Sequence, residues 1–247
     1  MNNMAKFYGI GTGPGDSQLL TVKGKTILNQ VDCLYTPEPK KGGQSLALKI
    51  VSPYLRSELE IKQRHFPMVN TLETKQSAWD TIAAEIVEDV QQGKNVAFIT
   101  LGDPMIYSTY AYLLERVQPE IETETVAGIS SFSQIANSLQ IPLVMDEEAY
   151  AVLPATKDEQ QIRVALELFS TIILMKVSVA LPKILKLLKE QGLLEQTILV
   201  SDASMASEKI TVGVQDLMAD TKLSYFSTMI VYKDRDLERK MFDETKN

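Results

Sequence analysis

The chain has 247 residues, 45% of them hydrophobic, which is enough for one large buried core or two smaller ones. Its 25 basic and 32 acidic side chains leave a formal net charge of −7, which argues against a nucleic-acid backbone as partner. One cysteine, Cys33, and one histidine, His65, exclude an internal disulfide and a Cys/His metal site, so no metal is expected.

No long apolar run opens the chain, and nowhere do about 18 apolar residues follow one another. A cytoplasmic protein without a membrane span is therefore expected. In chain order, Phe7-Tyr8-Gly9-Ile10 reads as a buried strand, followed by a glycine loop and a helix over 21–30. Cys33-Leu34-Tyr35 is a short strand ended by Thr36-Pro37, and 45–51 is a helical stretch stopped near Pro53. Leu72, Trp79, Ile82, Ala83, Ile86, Val87 and Val90 form one helical stripe that Gly93 breaks, with Trp79 placed in the core. Val96-Ala97-Phe98-Ile99 and 122–126 are strands. Strands separated by helices predict parallel βαβ units in this half.

The second half is richer in strands. Runs at 150–153, 172–175, 197–200, 209–212 and 229–232 have strand character, with helices at 159–168 and 179–191. That ratio predicts a mixed sheet. The expected architecture is α/β with two domains, 1–125 carrying a parallel sheet and 126–247 carrying a mixed one. The polar tail over 234–247 is expected to be frayed or loosely helical.

Three sites fall at predicted carboxyl ends of strands, the edge at which open α/β sheets take ligands. The first is Gly11-Thr12-Gly13-Pro14-Gly15-Asp16, where glycine lets backbone approach a ligand closely. A dinucleotide fingerprint fails on spacing, because its last glycine falls on Pro14 or Asp16. The second is Leu101-Gly102-Asp103-Pro104, where a carboxylate suits a ligand amine or hydroxyl, or equally caps a helix. The third is Gly128-Ile129-Ser130-Ser131-Phe132, which also reads as a cap. A plain turn remains open for each site taken alone.

This succession of motifs resembles that of the tetrapyrrole (corrin/porphyrin) methylases over nearly the whole chain. Tyr35-Thr36-Pro37, Ser45-Leu46-Ala47, Phe66-Pro67-Met68, Leu101–Thr109 and Leu153-Pro154-Ala155 are similar to the branch that methylates carbon 20 of precorrin-2 or cobalt-factor II. The resemblance implies an S-adenosylmethionine-dependent C-methyltransferase of cobalamin biosynthesis, a homodimer with the donor in the cleft between its two domains. It assigns the donor to Ile10, Gly11 and Gly13, to Gly102, Asp103 and Ile106, and to Ser130 and Ser131. Met175 and Ala203 would present backbone to the adenine. Thr228 is a weaker match, because the family often carries proline near that point. Superfamily relatives that act on another corrin intermediate, a protein side chain or RNA, and a non-catalytic nucleoside-binding module, stay as alternatives.

The tetrapyrrole substrate implied by the resemblance carries carboxylates, so an acidic chain needs a local basic patch to attract it. Lys40, Lys41, Arg56, Lys62, Arg64 and His65 cluster in sequence. Lys40, Lys41, Arg64 and His65 are taken as substrate contacts, although a solvated surface explains them equally. Tyr107 is a further substrate candidate, or else helix packing. Methyl transfer to an electron-rich macrocycle requires no base beforehand, and no catalytic residue is assigned.

Overall fold

The computed structural model describes residues 5–38, 43, 45–66, 72–235 and 237. The chain divides into two compact units, with the boundary between Ser130 and Ser131.

The first unit holds strands β1 (Phe7–Gly11), β2 (Cys33–Glu38), β3 (Glu60–His65), β4 (Val96–Thr100) and β5 (Thr123–Val126). Its helices are α1 (Val22–Leu28), α2 (Leu46–Val51), α3 (Leu72–Gln91) and α4 (Tyr110–Val117). The strand order is β3-β2-β4-β1-β5, and every pairing is parallel. All five residues of β4 are buried, as a parallel strand covered on both faces requires. Successive side chains go to opposite faces. Phe7, Tyr35, Phe98, Trp79, Ile86 and Leu113 pack under α3 and α4, while Ile10, Leu34, Ile99, Leu28 and Val51 pack under α1 and α2. Trp79 is core, with its ring stacked on Tyr112 at 4.1 Å.

Local chemistry sets the helix starts. The Thr21 hydroxyl accepts the Gly24 amide at the head of α1. Ser45 does the same for Leu48 at α2, and its hydroxyl shares a 2.6 Å bond with that of Thr36. Tyr110 ties α4 to the sheet, because its ring lies where a side chain on Gly9 would stand and its hydroxyl meets that of Thr125 at 2.6 Å.

Periodicity did not mark β3. It is an edge strand of alternating charge, Glu-Ile-Lys-Gln-Arg-His, and its residues are largely exposed. Its inner residues serve a buried polar cluster. The Asp89 carboxylate accepts from the Tyr35 hydroxyl at 2.7 Å, Lys62 Nζ at 2.6 Å and Lys94 Nζ at 3.0 Å. Burial pushes that carboxyl up, but the three donors outweigh it and hold the group at about 2. Cys33, fully buried at the start of β2, has its thiol pushed up to about 12 by burial.

The second unit holds β6 (Tyr150–Pro154), β7 (Thr171–Met175), β8 (Thr197–Ser201), β9 (Lys209–Val212) and β10 (Ser227–Tyr232), with α5 (Ser131–Ser138), α6 (Glu159–Leu168) and α7 (Leu181–Glu190). The order is β6-β7-β10-β8-β9, in which only β6 and β7 are parallel, so the sheet is mixed. Leu174, Met229, Val231 and Leu199 pack on Ile162, Leu166, Ile184 and Leu188 of α6 and α7. Tyr232 faces the other way, with its hydroxyl 3.5 Å from the Ile141 carbonyl. A 3-10 turn at Val177–Val179 occupies the start of the helix expected over 179–191. Among the described residues, no helix is long and apolar enough to cross a membrane.

Candidate functional site

In the first unit, the chain leaves β1 and β2 over one face and β3 and β4 over the other. The neighbours β2 and β4 therefore send their loops in opposite senses, the arrangement at whose carboxyl edge open α/β sheets take ligands. The glycine motifs meet at this edge. Gly102 N donates to Gly13 O at 2.8 Å and Gly13 N to Gly102 O at 3.3 Å, a small bridge beyond the ends of β1 and β4. The Thr12 amide and hydroxyl both reach the Thr100 carbonyl.

These glycines first serve each other. A Cβ on Gly128 would stand 2.1 Å from Gly102 O, and one on Gly11 would stand 2.6 Å from the same atom. Loop-to-loop packing, rather than ligand approach alone, demands glycine at 11 and 128. Gly13 and Gly102 are required for a second reason, φ values of 77° and 70°. A Cβ on Gly102 would find only Ile129 O, at 4.0 Å. That side of the loop is open.

Asp103 does not cap α4, which begins at Tyr110. Its carboxylate accepts the Met105 amide at 2.9 Å and the Gly128 amide at 3.1 Å. The loop after β4 is pinned again by Ser108, whose hydroxyl meets that of Thr100 at 2.8 Å and accepts the Tyr110 amide at 3.1 Å. Ser108 follows the Gly-Asp-Pro motif and is a cleft candidate from sequence, whereas the bracing by Thr12 and Thr100 has no sequence signal, since an isolated hydroxyl looks the same in any loop. Between the pins, Tyr107 takes a φ of 51°, an outlier for an aromatic side chain that costs about 1–3 kcal/mol. Ile106 donates its amide to Asp103 O at 3.3 Å. Ile10 is buried in β1, and Ser130 is buried just after β5.

In the second unit, Met175, Ala203 and Thr228 come from three distant segments onto one sheet edge. Thr228 faces Met175 across the β10–β7 pair, and Ser227 faces Ser201 at the end of β8, two residues before the buried Ala203. The Met175 carbonyl accepts the Ala155 amide at 2.7 Å. Asp202, at φ 55°, holds this turn by accepting from the Ser207 and Ser224 hydroxyls. Ser131 opens α5.

The basic cluster is largely paired. Arg64 Nε meets Glu85 at 2.7 Å, and the guanidinium lies over the Tyr35 ring. Lys62 is bound to Asp89, Arg56 donates to the Val31 carbonyl, and His65 Nδ1 is 3.2 Å from the Glu38 carbonyl. Lys40, Lys41, Pro67 and Met68 lie outside the described residues.

Comparison with known proteins gives the family and the fold. The family profile of the Tetrapyrrole (Corrin/Porphyrin) Methylases matches residues 6–217. A protein of Salmonella typhimurium named cobalt-precorrin-2 C(20)-methyltransferase is 39% identical over 92% of this chain and 96% of its own length. A protein of Methanocaldococcus jannaschii, named as a probable enzyme of the same kind, is 34% identical over 94% of this chain and 98% of its own. Among solved structures, a cobalt precorrin-4 methyltransferase superposes with a TM-score of 0.72 at 20% identity, covering 92% of this chain and 94% of that one. The Thermus thermophilus uroporphyrin-III C-methyltransferase, solved with S-adenosyl homocysteine, superposes at 0.69 with 16% identity over 93% and 92% of the two chains. With a profile that spans most of its length and a relative this similar from end to end, the chain belongs to the tetrapyrrole (corrin/porphyrin) methylases.

Proposed function

We propose that this chain methylates carbon 20 of cobalt-precorrin-2 with S-adenosylmethionine, as a cytoplasmic homodimer in cobalamin biosynthesis. The observation that carries the reading is the 39% identity to the Salmonella typhimurium enzyme of that name across nearly both full lengths. The two relatives named for the cobalt substrate are more similar to this chain than the Sinorhizobium protein named for precorrin-2, which is 30% identical. That ranking favours the cobalt form.

The residues fit such a donor. The open side of Gly102 adjoins a part-buried carboxylate, Asp103, and the Gly128–Ser130 backbone, which together suit a polar nucleoside and amino-acid end. Gly11, Gly13, Ile10 and Ile106 shape this edge, and Ser131, Met175, Ala203 and Thr228 are assigned to the donor on the family resemblance. When bound, S-adenosylmethionine supplies a methyl group on a positively charged sulfur, so the leaving group comes ready-made. The chain's own work is alignment of donor and macrocycle and exclusion of water. Lys40 and Lys41, which follow β2 in sequence after Pro39, are assigned to the substrate's carboxylates.

The test is incubation of the purified protein with S-adenosylmethionine and, separately, the cobalt-containing and metal-free tetrapyrroles. Mass spectrometry should show one added methyl on the cobalt form, and NMR should place it on carbon 20. Donor binding with no transfer to either tetrapyrrole would reject the reading. Light scattering should give the mass of two chains, and a monomer at micromolar concentration would reject the dimer.

A further inference from the structure

The loop after β4 contains a three-residue stretch, Met105-Ile106-Tyr107, held from both sides. On one side Asp103 accepts the Met105 amide through its carboxylate and the Ile106 amide through its carbonyl. On the other, Ser108 is fastened to Thr100 and to the Tyr110 amide. The stretch is rigidly presented, yet its two large apolar side chains face outward. Met105 is 61% exposed and Tyr107 is 47% exposed. Tyr107 also sits in the left-handed region, where glycine or asparagine would be the relaxed choice. An exposed aromatic kept in a strained backbone conformation, next to the Asp103 and Ile106 assigned to the donor in the reading above, points to use of its ring.

We propose that Tyr107, with Met105 beside it, is the platform against which the flat apolar face of the tetrapyrrole lies, so that the loop whose Asp103 and Ile106 are assigned to the donor also positions the substrate. This rests on the tetrapyrrole reading above. A planar conjugated ring is the ligand that an exposed tyrosine face and a polarisable thioether recognise best.

Tyr107→Gly and Tyr107→Phe test it, with cobalt-precorrin-2 titrated through its own visible absorption and S-adenosylhomocysteine titrated by calorimetry. Glycine relaxes the backbone at this position, so that variant should melt no lower than the parent. Its Kd and KM for the tetrapyrrole should rise roughly tenfold, while Tyr107→Phe stays within about twofold because the ring remains. Affinity for S-adenosylhomocysteine should be unchanged in both. A merely structural tyrosine would lower melting temperature and donor affinity together. Parental tetrapyrrole affinity in Tyr107→Gly, or an equal loss in Tyr107→Phe, overturns the platform and leaves the reaction standing. A parent protein that binds no tetrapyrrole overturns both.

Discussion

The Asp103 carboxylate accepts the backbone amide of Gly128 at 3.1 Å, joining the loop after β4 to the loop after β5. Its second oxygen accepts the Met105 amide, so one side chain fixes the geometry of two motifs that lie apart in sequence. A residue chosen from sequence as a donor ligand is thus also a brace.

Asp103→Ala removes both bonds. The expected loss of stability is about 1–3 kcal/mol, from two amides left without their acceptor. Loss of a charge-assisted contact to the donor adds a roughly ten- to hundred-fold rise in Kd for S-adenosylhomocysteine. Melting without donor and calorimetry with it separate the two effects. If melting falls and affinity stays, Asp103 is only a brace.

Gly128→Ala and Gly102→Ala should fail in different ways. The first drives a methyl group to 2.1 Å from the Gly102 carbonyl, a backbone clash that should cost about 3 kcal/mol or more. The second meets open space and only a positive φ, so it should fold with a penalty of about 1–2 kcal/mol. Its methyl group would then occupy the place proposed for the donor. A Gly102→Ala protein with parental donor affinity would refute the placement of that site.

Asp89 sets an acid limit. Its folded-state carboxyl is lowered from 3.8 to about 2, so its contribution is fully present above about pH 4 and disappears as pH falls through about 2. The amount is about 2 kcal/mol. Asp89→Asn strips Lys62 and Lys94 of a partner and should cost roughly 3 kcal/mol at neutral pH. Denaturant melts of the variant should lose the parent's slope between about pH 4 and pH 2. An unchanged slope would show that another carboxylate dominates.

The ion pair of Arg64 with Glu85 leaves little positive field for a substrate. Arg64→Met should cost no more than about 1 kcal/mol and leave the tetrapyrrole KM unchanged. Lys40→Glu with Lys41→Glu should raise that KM at low salt, where screening is weakest. The reverse pattern would move substrate recognition to β3.

Strands β1, β4, β7, β8 and β10 were legible because buried strands leave continuous apolar runs such as Val96-Ala97-Phe98-Ile99. The strand β3 was not, since an edge strand that feeds Lys62 to a buried carboxylate looks like a charged surface segment. Pro37 reads as a stop in the sequence, yet β2 continues to Glu38. From Thr36 onward β2 pairs only with β3, having left β4 after Tyr35, so a proline is tolerated there. Strand-end position is enough to point to Gly11, Gly102, Asp103 and Gly128 as residues of loops at one sheet edge. It does not give their mutual backbone contacts, because which glycine meets which is fixed by strand order, and the order β2-β4-β1-β5 has no local signature.

The burial of Cys33 gives this protein a built-in clock. The chain's one thiol sits at the root of β2 with no exposed surface and is held protonated far above neutral pH. A thiol reagent can therefore react only when the sheet opens, and the labelling rate at pH 8 should track the unfolding equilibrium. A donor that binds only the folded chain should slow that labelling by the factor 1 + [L]/Kd. The modification rate then measures donor affinity without any turnover.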